Sequence, residues 1–116
     1  MEFGRYDFGS IEIDGTRYEH DVVIDGGTVR KRKKGPSKPQ RARYGHTPLS
    51  LAEEIPWECR RLVVGSGANG ALPVVEEVTE EAARRRVQLE VIPTAQAIER
   101  LREGGSGTNA ILHVTC

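Results

Sequence analysis

Arg61-Leu62-Val63-Val64-Gly65-Ser66-Gly67-Ala68-Asn69-Gly70 is the stretch that decides the fold. Four residues with an apolar, β-branched centre run straight into a glycine-rich loop, which reads as a buried strand emptying into a tight turn. Pro73 is placed to open a helix near its first position, and Val74, Val75, Val78 and Ala82 lie at the spacing of one helical face. Glu80 with Arg84 and Glu81 with Arg85 stand four apart in the favourable acid-first order. Val87 to Ile92 returns as a strand. Thr94 caps a second helix carrying Ala97, Ile98 and Leu101, and Gly104-Gly105 stops it. Asn109 to Thr115 closes the chain as a last strand, with Ala110-Ile111-Leu112 apolar on both faces. Strand and helix alternating in this way predict right-handed crossovers, a parallel β-α-β-α-β unit, and helices covering a sheet that is apolar on both sides.

Upstream the pattern changes. Ser10-Ile11-Glu12-Ile13-Asp14 alternates with period two, and Asp14-Gly15 is a hairpin-turn dipeptide. The return strand spans Arg17 to Ile24, Asp25-Gly26-Gly27 turns the chain again, and a third strand covers Thr28 to Arg32. The opening of the chain therefore reads as three short antiparallel strands. Lys33 to Arg43, with Gly35, Pro36 and Pro39 among its charges, reads as an exposed basic loop. Ser50 and Glu53 have the spacing of a capping box that starts a short helix, ended by Pro56. The fold class expected is α/β, with a mixed sheet, in a single domain over residues 1–116.

Composition narrows the classes of function. Lysines and arginines number 17, as do the acids, so the formal net charge is zero and a uniformly basic nucleic-acid binder is disfavoured. Residues 30 to 43 nevertheless hold eight of those 17 cations and no acid. The run Arg30-Lys31-Arg32-Lys33-Lys34 could meet phosphates. A strand sends neighbours to opposite faces, however, and lysines on an edge strand also discourage aggregation. No apolar run approaches the roughly 20 residues needed to span a bilayer, and the first residues have acidic and polar side chains where a secretory signal needs an apolar stretch. A cytoplasmic location without membrane association is expected. Cys59 and Cys116 form no CxxC or Cys/His zinc pattern and read as small hydrophobes; no metal and no cofactor are expected.

The candidate functional surface follows from geometry: ligands of open α/β sheets collect beyond the carboxyl ends of parallel strands. The loop residues Gly65, Ser66, Gly67, Asn69 and Gly70 converge there with Thr94 and the terminal Val114-Thr115-Cys116. The loop reads Gly-x-Gly-x-x-Gly, with Glu90 placed 20 residues after Gly70. The third glycine of a dinucleotide fingerprint lies inside the helix, whereas here Pro73 delays the helix, and one βαβ unit leaves little room for a dinucleotide. A small anion on loop amides and a helix amino terminus fits better; a tight loop with no ligand is the plainer alternative. His113 with Cys116 suggests a nucleophile and base, but residues three apart on a strand diverge, while His113 and Thr115 share a face. This polar and thiol group (His113, Thr115, Cys116) is a second candidate site. Asp21 beside His20 reads as chiefly structural.

Several segments together resemble one family: Gly9-Ser10-Ile11 with Ile13-Asp14-Gly15, Tyr18 and His20-Asp21-Val22; Leu62-Val63-Val64-Gly65-Ser66-Gly67; Thr94 with Ala97-Ile98; and Ile111-Leu112-His113-Val114-Thr115-Cys116. It is the family of adipogenesis-associated (Mth-type) domain proteins, of unknown function, with relatives that include a mitochondrial complex I assembly factor. The resemblance implies a three-layer α/β fold with a mixed sheet, and partner binding more than catalysis; it carries no catalytic residues over. The expected function is accordingly a non-enzymatic interaction or assembly module, acting on a protein partner or by self-association. The alternative is a small-molecule or anion-binding protein, or an enzyme, using the loop Gly65 to Gly70.

Overall fold

The computed structural model describes residues 1–104 and 106–116. Five strands come first: β1 (Phe3–Asp7), β2 (Ser10–Ile13), β3 (Thr16–Tyr18), β4 (Val22–Asp25) and β5 (Thr28–Lys31). A 3-10 turn (Gly35–Gln40) and a single helical turn, α1 (Arg41–Tyr44), follow. Then come β6 (Arg61–Ser66), α2 (Glu76–Arg84), β7 (Gln88–Ile92), α3 (Thr94–Arg102) and β8 (Thr108–His113). The strands divide into a three-stranded sheet, β1-β2-β3, and a five-stranded sheet in the order β5-β4-β8-β6-β7. Strand β8 is the seam of the large sheet. It runs parallel to β6, with Val63 opposite Ala110 and Ser66 opposite His113, and antiparallel to β4, with Val22 opposite Leu112.

Alternation along these strands produces two cores. Val23, Leu62, Val64 and Ile111 face one side, where Val75, Val78 and Ala82 of the α2 segment meet Leu49 and Ile55. Val22, Ile24, Val63, Ala110 and Leu112 face the other, against Ala97 and Ile98 of α3 and Ile11 and Ile13 of the small sheet. Both faces of the large sheet are thus covered, and the fold is the expected three-layer α/β arrangement with a mixed sheet. Each fully buried Val, Leu or Ile contributes about 1.5–3 kcal/mol relative to an exposed one. No helix among the described residues is long and apolar enough to cross a membrane.

Local departures from expectation have identifiable causes. Strand β1 adds a fourth strand to the opening hairpins; its alternation is hidden by a register shift between Phe3 and Tyr6. The expected strand from Arg17 to Ile24 is two strands in different sheets, β3 paired with β2 and β4 with β8. They are separated where the Asp21 carbonyl accepts the Arg32 amide at 2.9 Å and the Asp21 side chain turns inward. The Ser50–Glu53 capping box does not form and no helix stands there, because the Glu53 carboxylate is drawn to the Arg32 guanidinium. Helix α2 starts at Glu76 rather than near Pro73: the Leu49 amide donates to Pro73 O and the Val75 amide to Leu49 O, holding this segment extended. Glu81 takes both Arg84 and Arg85, in place of the expected Glu80–Arg84 pair. The stretch 33–43 is a folded 3-10 turn with Ser37 fully buried, not wholly an exposed loop. At the end of α3 the Gly104 amide donates to Leu101 O; Gly105, the other half of the expected stop, lies outside the described residues.

Candidate functional site

The carboxyl ends of β6 and β8 meet the start of α3 at Gly65 and Thr94. A β-carbon on Gly65 would lie 2.8 Å from Thr94 Oγ1 and 3.0 Å from Leu112 Cδ2, so glycine is what lets α3 approach the strand. Thr94 is 0% exposed. It does not cap α3, as its position had suggested; its hydroxyl turns to the sheet, accepting from the Gly67 amide at 2.8 Å and donating to His113 O at 2.6 Å. One side chain therefore ties β6, α3 and β8 together.

The glycine loop does for its own chain what such loops do for phosphates. Ala68 N donates to Thr115 O at 2.7 Å, and Asn69 N and Ala71 N donate to Cys116 O at 3.2 and 3.0 Å. Gly67 holds φ at +102°, and a β-carbon there would fall 2.2 Å from the Cys116 carbonyl carbon. The amides nominated for an anion thus hold the carbonyls of residues 115 and 116, while Asn69 and Gly70 sit at the exposed rim. Glu90 lies within β7 opposite Val63, with Arg61 and Arg100 each 3.3 Å from its carboxylate. It is an ion-pair partner held two residues before Ile92, the last residue of β7.

Beyond the loop lies a buried polar chain. Asp21 Oδ2 accepts from His113 Nδ1 at 2.8 Å and from Arg32 Nη1 at 2.9 Å, and Oδ1 accepts the Val114 amide at 3.0 Å. Arg32 also donates to Glu53 through Nε at 2.7 Å and Nη2 at 2.8 Å, and to Pro48 O at 3.1 Å. Ser37 Oγ donates to Glu53 Oε2 at 2.6 Å. Burial alone would raise the Asp21 carboxyl, but the hydrogen bond and charge of His113, the Val114 amide and the Arg32 guanidinium outweigh it and lower it from 3.8 to about 2. Asp21 is therefore an acceptor only, so His113 Nδ1 carries the proton it donates. The other ring nitrogen, Nε2, lies 3.2 Å from Thr115 Oγ1. His113 and Thr115 share a face, as their spacing requires, and no hydrogen bond joins His113 to Cys116 among the described residues.

His113, Thr115 and Cys116 line a cleft of about 330 Å³. Lys34, Lys38, Arg41 and His46, from the 3-10 turn and the residues flanking it, line it too, as does Arg32, and no Asp or Glu belongs to its lining. Lys34, Lys38 and Arg41 enter no ion pair among the described residues. A larger cleft of about 650 Å³ opens at the other end of β8, beside Gly26, Gly27 and Thr108, but Glu58 and Arg102 are the charged residues of its lining and it gathers no comparable chemistry. The structure brings together Gly65, Ser66, Gly67, Thr94, His113, Thr115 and Cys116. It adds Asp21, Arg32 and the basic turn, which sequence reasoning kept apart from them.

The family model for the protein of unknown function DUF498/DUF598 matches residues 3–103, and the chain belongs to that family. The chain is similar to a conserved hypothetical protein of Pyrococcus horikoshii OT3, at 28% identity over 100% of both chains with a TM-score of 0.77. It is also similar to the protein MT938, at 30% identity over 98% of this chain and 97% of that one, with a TM-score of 0.71. A Mth938-like domain protein of Bordetella pertussis shares the fold at 20% identity over 97% and 84%, with a TM-score of 0.61. No curated protein matches the chain significantly.

Proposed function

We propose that this DUF498/DUF598 chain binds a small anionic ligand, bearing phosphate or carboxylate groups, in the cleft between the basic turn and the carboxyl end of β8. The single observation behind this reading is that Lys34, Lys38, Arg41 and His46 line one cleft together with His113 and Thr115, and no Asp or Glu belongs to that lining. A cleft lined by one sign of charge concentrates counter-ions, and its volume lies at the lower end of the range of small-molecule sites, roughly 300–1,000 Å³. The ligand-binding surface moves accordingly from the amides of Gly65 to Gly70, which hold the chain's own carbonyls, to the cleft beside them.

The test is a melting experiment with inorganic phosphate, pyrophosphate and citrate against chloride at matched ionic strength. Binding to the native state at a hundred times Kd adds about 2.7 kcal/mol, and the gain should vanish in the triple variant Lys34→Gln, Lys38→Gln, Arg41→Gln. Equal melting in all four salts would reject the reading.

A second reading, association with another copy, draws on the outermost position of β7 in the large sheet and on Val91, 43% exposed on that strand. The resemblance to adipogenesis-associated proteins, and through them to an assembly factor, points the same way. Sedimentation equilibrium of the wild type and Val91→Lys tests it: a monomer in both discards self-association through this edge.

A further inference from the structure

Anion binding leaves part of the cleft's geometry without a purpose. Asp21 is already satisfied by Arg32 and the Val114 amide, yet it also fixes His113, whose second nitrogen then faces a hydroxyl at the cleft wall. We infer that Asp21, His113 and Thr115 form a nucleophilic relay, and that the cleft hydrolyses a small carboxylic ester bearing a second, anionic group. The inference rests on the anion-binding reading, since the cations would hold that second group.

Three features carry it. The distances of 3.2 Å from Thr115 Oγ1 to His113 Nε2 and 2.8 Å from His113 Nδ1 to Asp21 Oδ2 place nucleophile, base and orienting acid in series, the signature of an activated hydroxyl. The acid is buried and anchored by two further donors, so it sets the ring's tautomer without being free to swing away. Finally, the order of burial is the functional one: Asp21 and His113 are buried while Thr115 is half-buried in the cleft lining.

The chemistry balances with water as the second reactant. Thr115 Oγ1 bonds to the ester carbonyl carbon as its proton passes to His113 Nε2. The resulting tetrahedral species collapses by breaking the bond to the leaving oxygen, which takes that proton and departs as an alcohol, leaving acyl-Thr115. A water then adds to the acyl carbon while His113 Nε2 accepts its proton. Collapse returns the proton to Thr115 Oγ1 and releases the carboxylic acid. The positive potential of Lys34, Lys38 and Arg41 favours the oxyanion formed in each half.

The probes are p-nitrophenyl succinate, which carries a free carboxylate, and p-nitrophenyl acetate, which does not. The wild type should prefer the succinate ester in kcat/KM by about tenfold or more, the factor given by 1.4 kcal/mol. Thr115→Val removes the nucleophile itself and should lose about 10⁴-fold or more in kcat/KM. Thr115→Ser should keep the activity within about tenfold. Acid-quenched mass spectrometry should place the succinyl group on Thr115, which keeps the test decisive even if Thr115→Val fails to fold. Phosphate binding with no turnover by the wild type overturns the relay and leaves the anion reading intact, whereas absence of both overturns both. A succinyl group on a lysine, or full activity in a folded Thr115→Val, also overturns the relay.

Discussion

Replacing Arg32 with methionine tests the buried polar chain that fixes the cleft. The guanidinium is 1% exposed and donates to both oxygens of Glu53, one of Asp21 and the carbonyl of Pro48. Methionine fills much of the same volume but donates nothing. Asp21 would keep His113 and the Val114 amide, so it is not the stranded group. Glu53 would be: its side chain is 4% exposed and Ser37 Oγ would be its remaining donor. Removing one partner of a buried ion pair typically costs about 3–5 kcal/mol, because the other charge stays desolvated. A domain of this length has a total stability of roughly 5–15 kcal/mol, so the change consumes a large share of it. Denaturant titration at pH 7 measures the loss as a fall in midpoint at unchanged slope. The double variant Arg32→Met, Glu53→Leu removes the stranded charge with its partner and should be more stable than Arg32→Met by about 2 kcal/mol or more. A loss below about 1 kcal/mol in the single variant, within the range of an exposed pair, or a double variant no better than the single, would refute this account of the network.

Three further outcomes follow from the same region. Asp21 should titrate in the native state with a midpoint about 2, below its ordinary 3.8; a depressed folded value means that its stabilising contribution, about 2 kcal/mol, is present above pH 4 and is lost as the pH falls through 2. Carboxyl carbon shifts followed by NMR check this, and a midpoint at or above 3.8 contradicts it. Thr94→Val should destabilise by about 2–4 kcal/mol in denaturant titration, since the Gly67 amide and the His113 carbonyl both lose a partner in a fully buried place, whereas Thr94→Ser should lie close to wild type by the same measurement. Gly67→Ala combines positive φ with a collision against the Cys116 carbonyl carbon, and should cost at least about 2 kcal/mol by denaturant titration; a smaller loss would mean that the carboxyl end moves aside easily.

The parallel half of the fold was legible because its signals are redundant. Leu62-Val63-Val64 and Ala110-Ile111-Leu112 are apolar on both faces, as strands covered on both sides must be, and each lies beside a glycine or an amphipathic helix that marks its end. The first half was harder, because single residues there override local pattern. Glu53 has capping-box spacing, but a buried guanidinium attracts a carboxylate more strongly than a backbone amide does, and that guanidinium comes from a distant strand. Thr94 similarly holds the position of a cap while its hydroxyl answers to β6 and β8. One missed link was recoverable. With Gly26-Gly27 as a two-residue turn, Asp25 pairs with Thr28 and Val22 with Lys31. Extending that register by one step puts Asp21 opposite Arg32, so the acid rated structural and the cation assigned to a surface patch belonged together. That β4 also lies beside β8, bringing His113 to Asp21 across 92 positions, depends on a long-range strand pairing that no local period encodes.

The glycine loop acquires its meaning from what it holds. Its amides bind the carbonyls of Thr115 and Cys116, and Thr94 binds the carbonyl of His113, so successive peptide groups at the end of β8 are pinned from one side. From the other side, Asp21 binds the His113 ring and the Val114 amide. A chain end clamped on both sides loses the freedom that would let Thr115 and His113 drift apart, and side chains held before a ligand arrives do not have to be ordered when it does. The same pinning explains why Gly67 bears no side chain: any atom there would displace the backbone that presents Thr115. The loop and the basic turn therefore have separate tasks. The loop fixes the polar wall of the cleft, and Lys34, Lys38 and Arg41 supply its charge. Mutations in the loop should accordingly weaken anion binding together with stability, whereas neutralising the three cations should weaken binding and leave the melting temperature in chloride near that of the wild type.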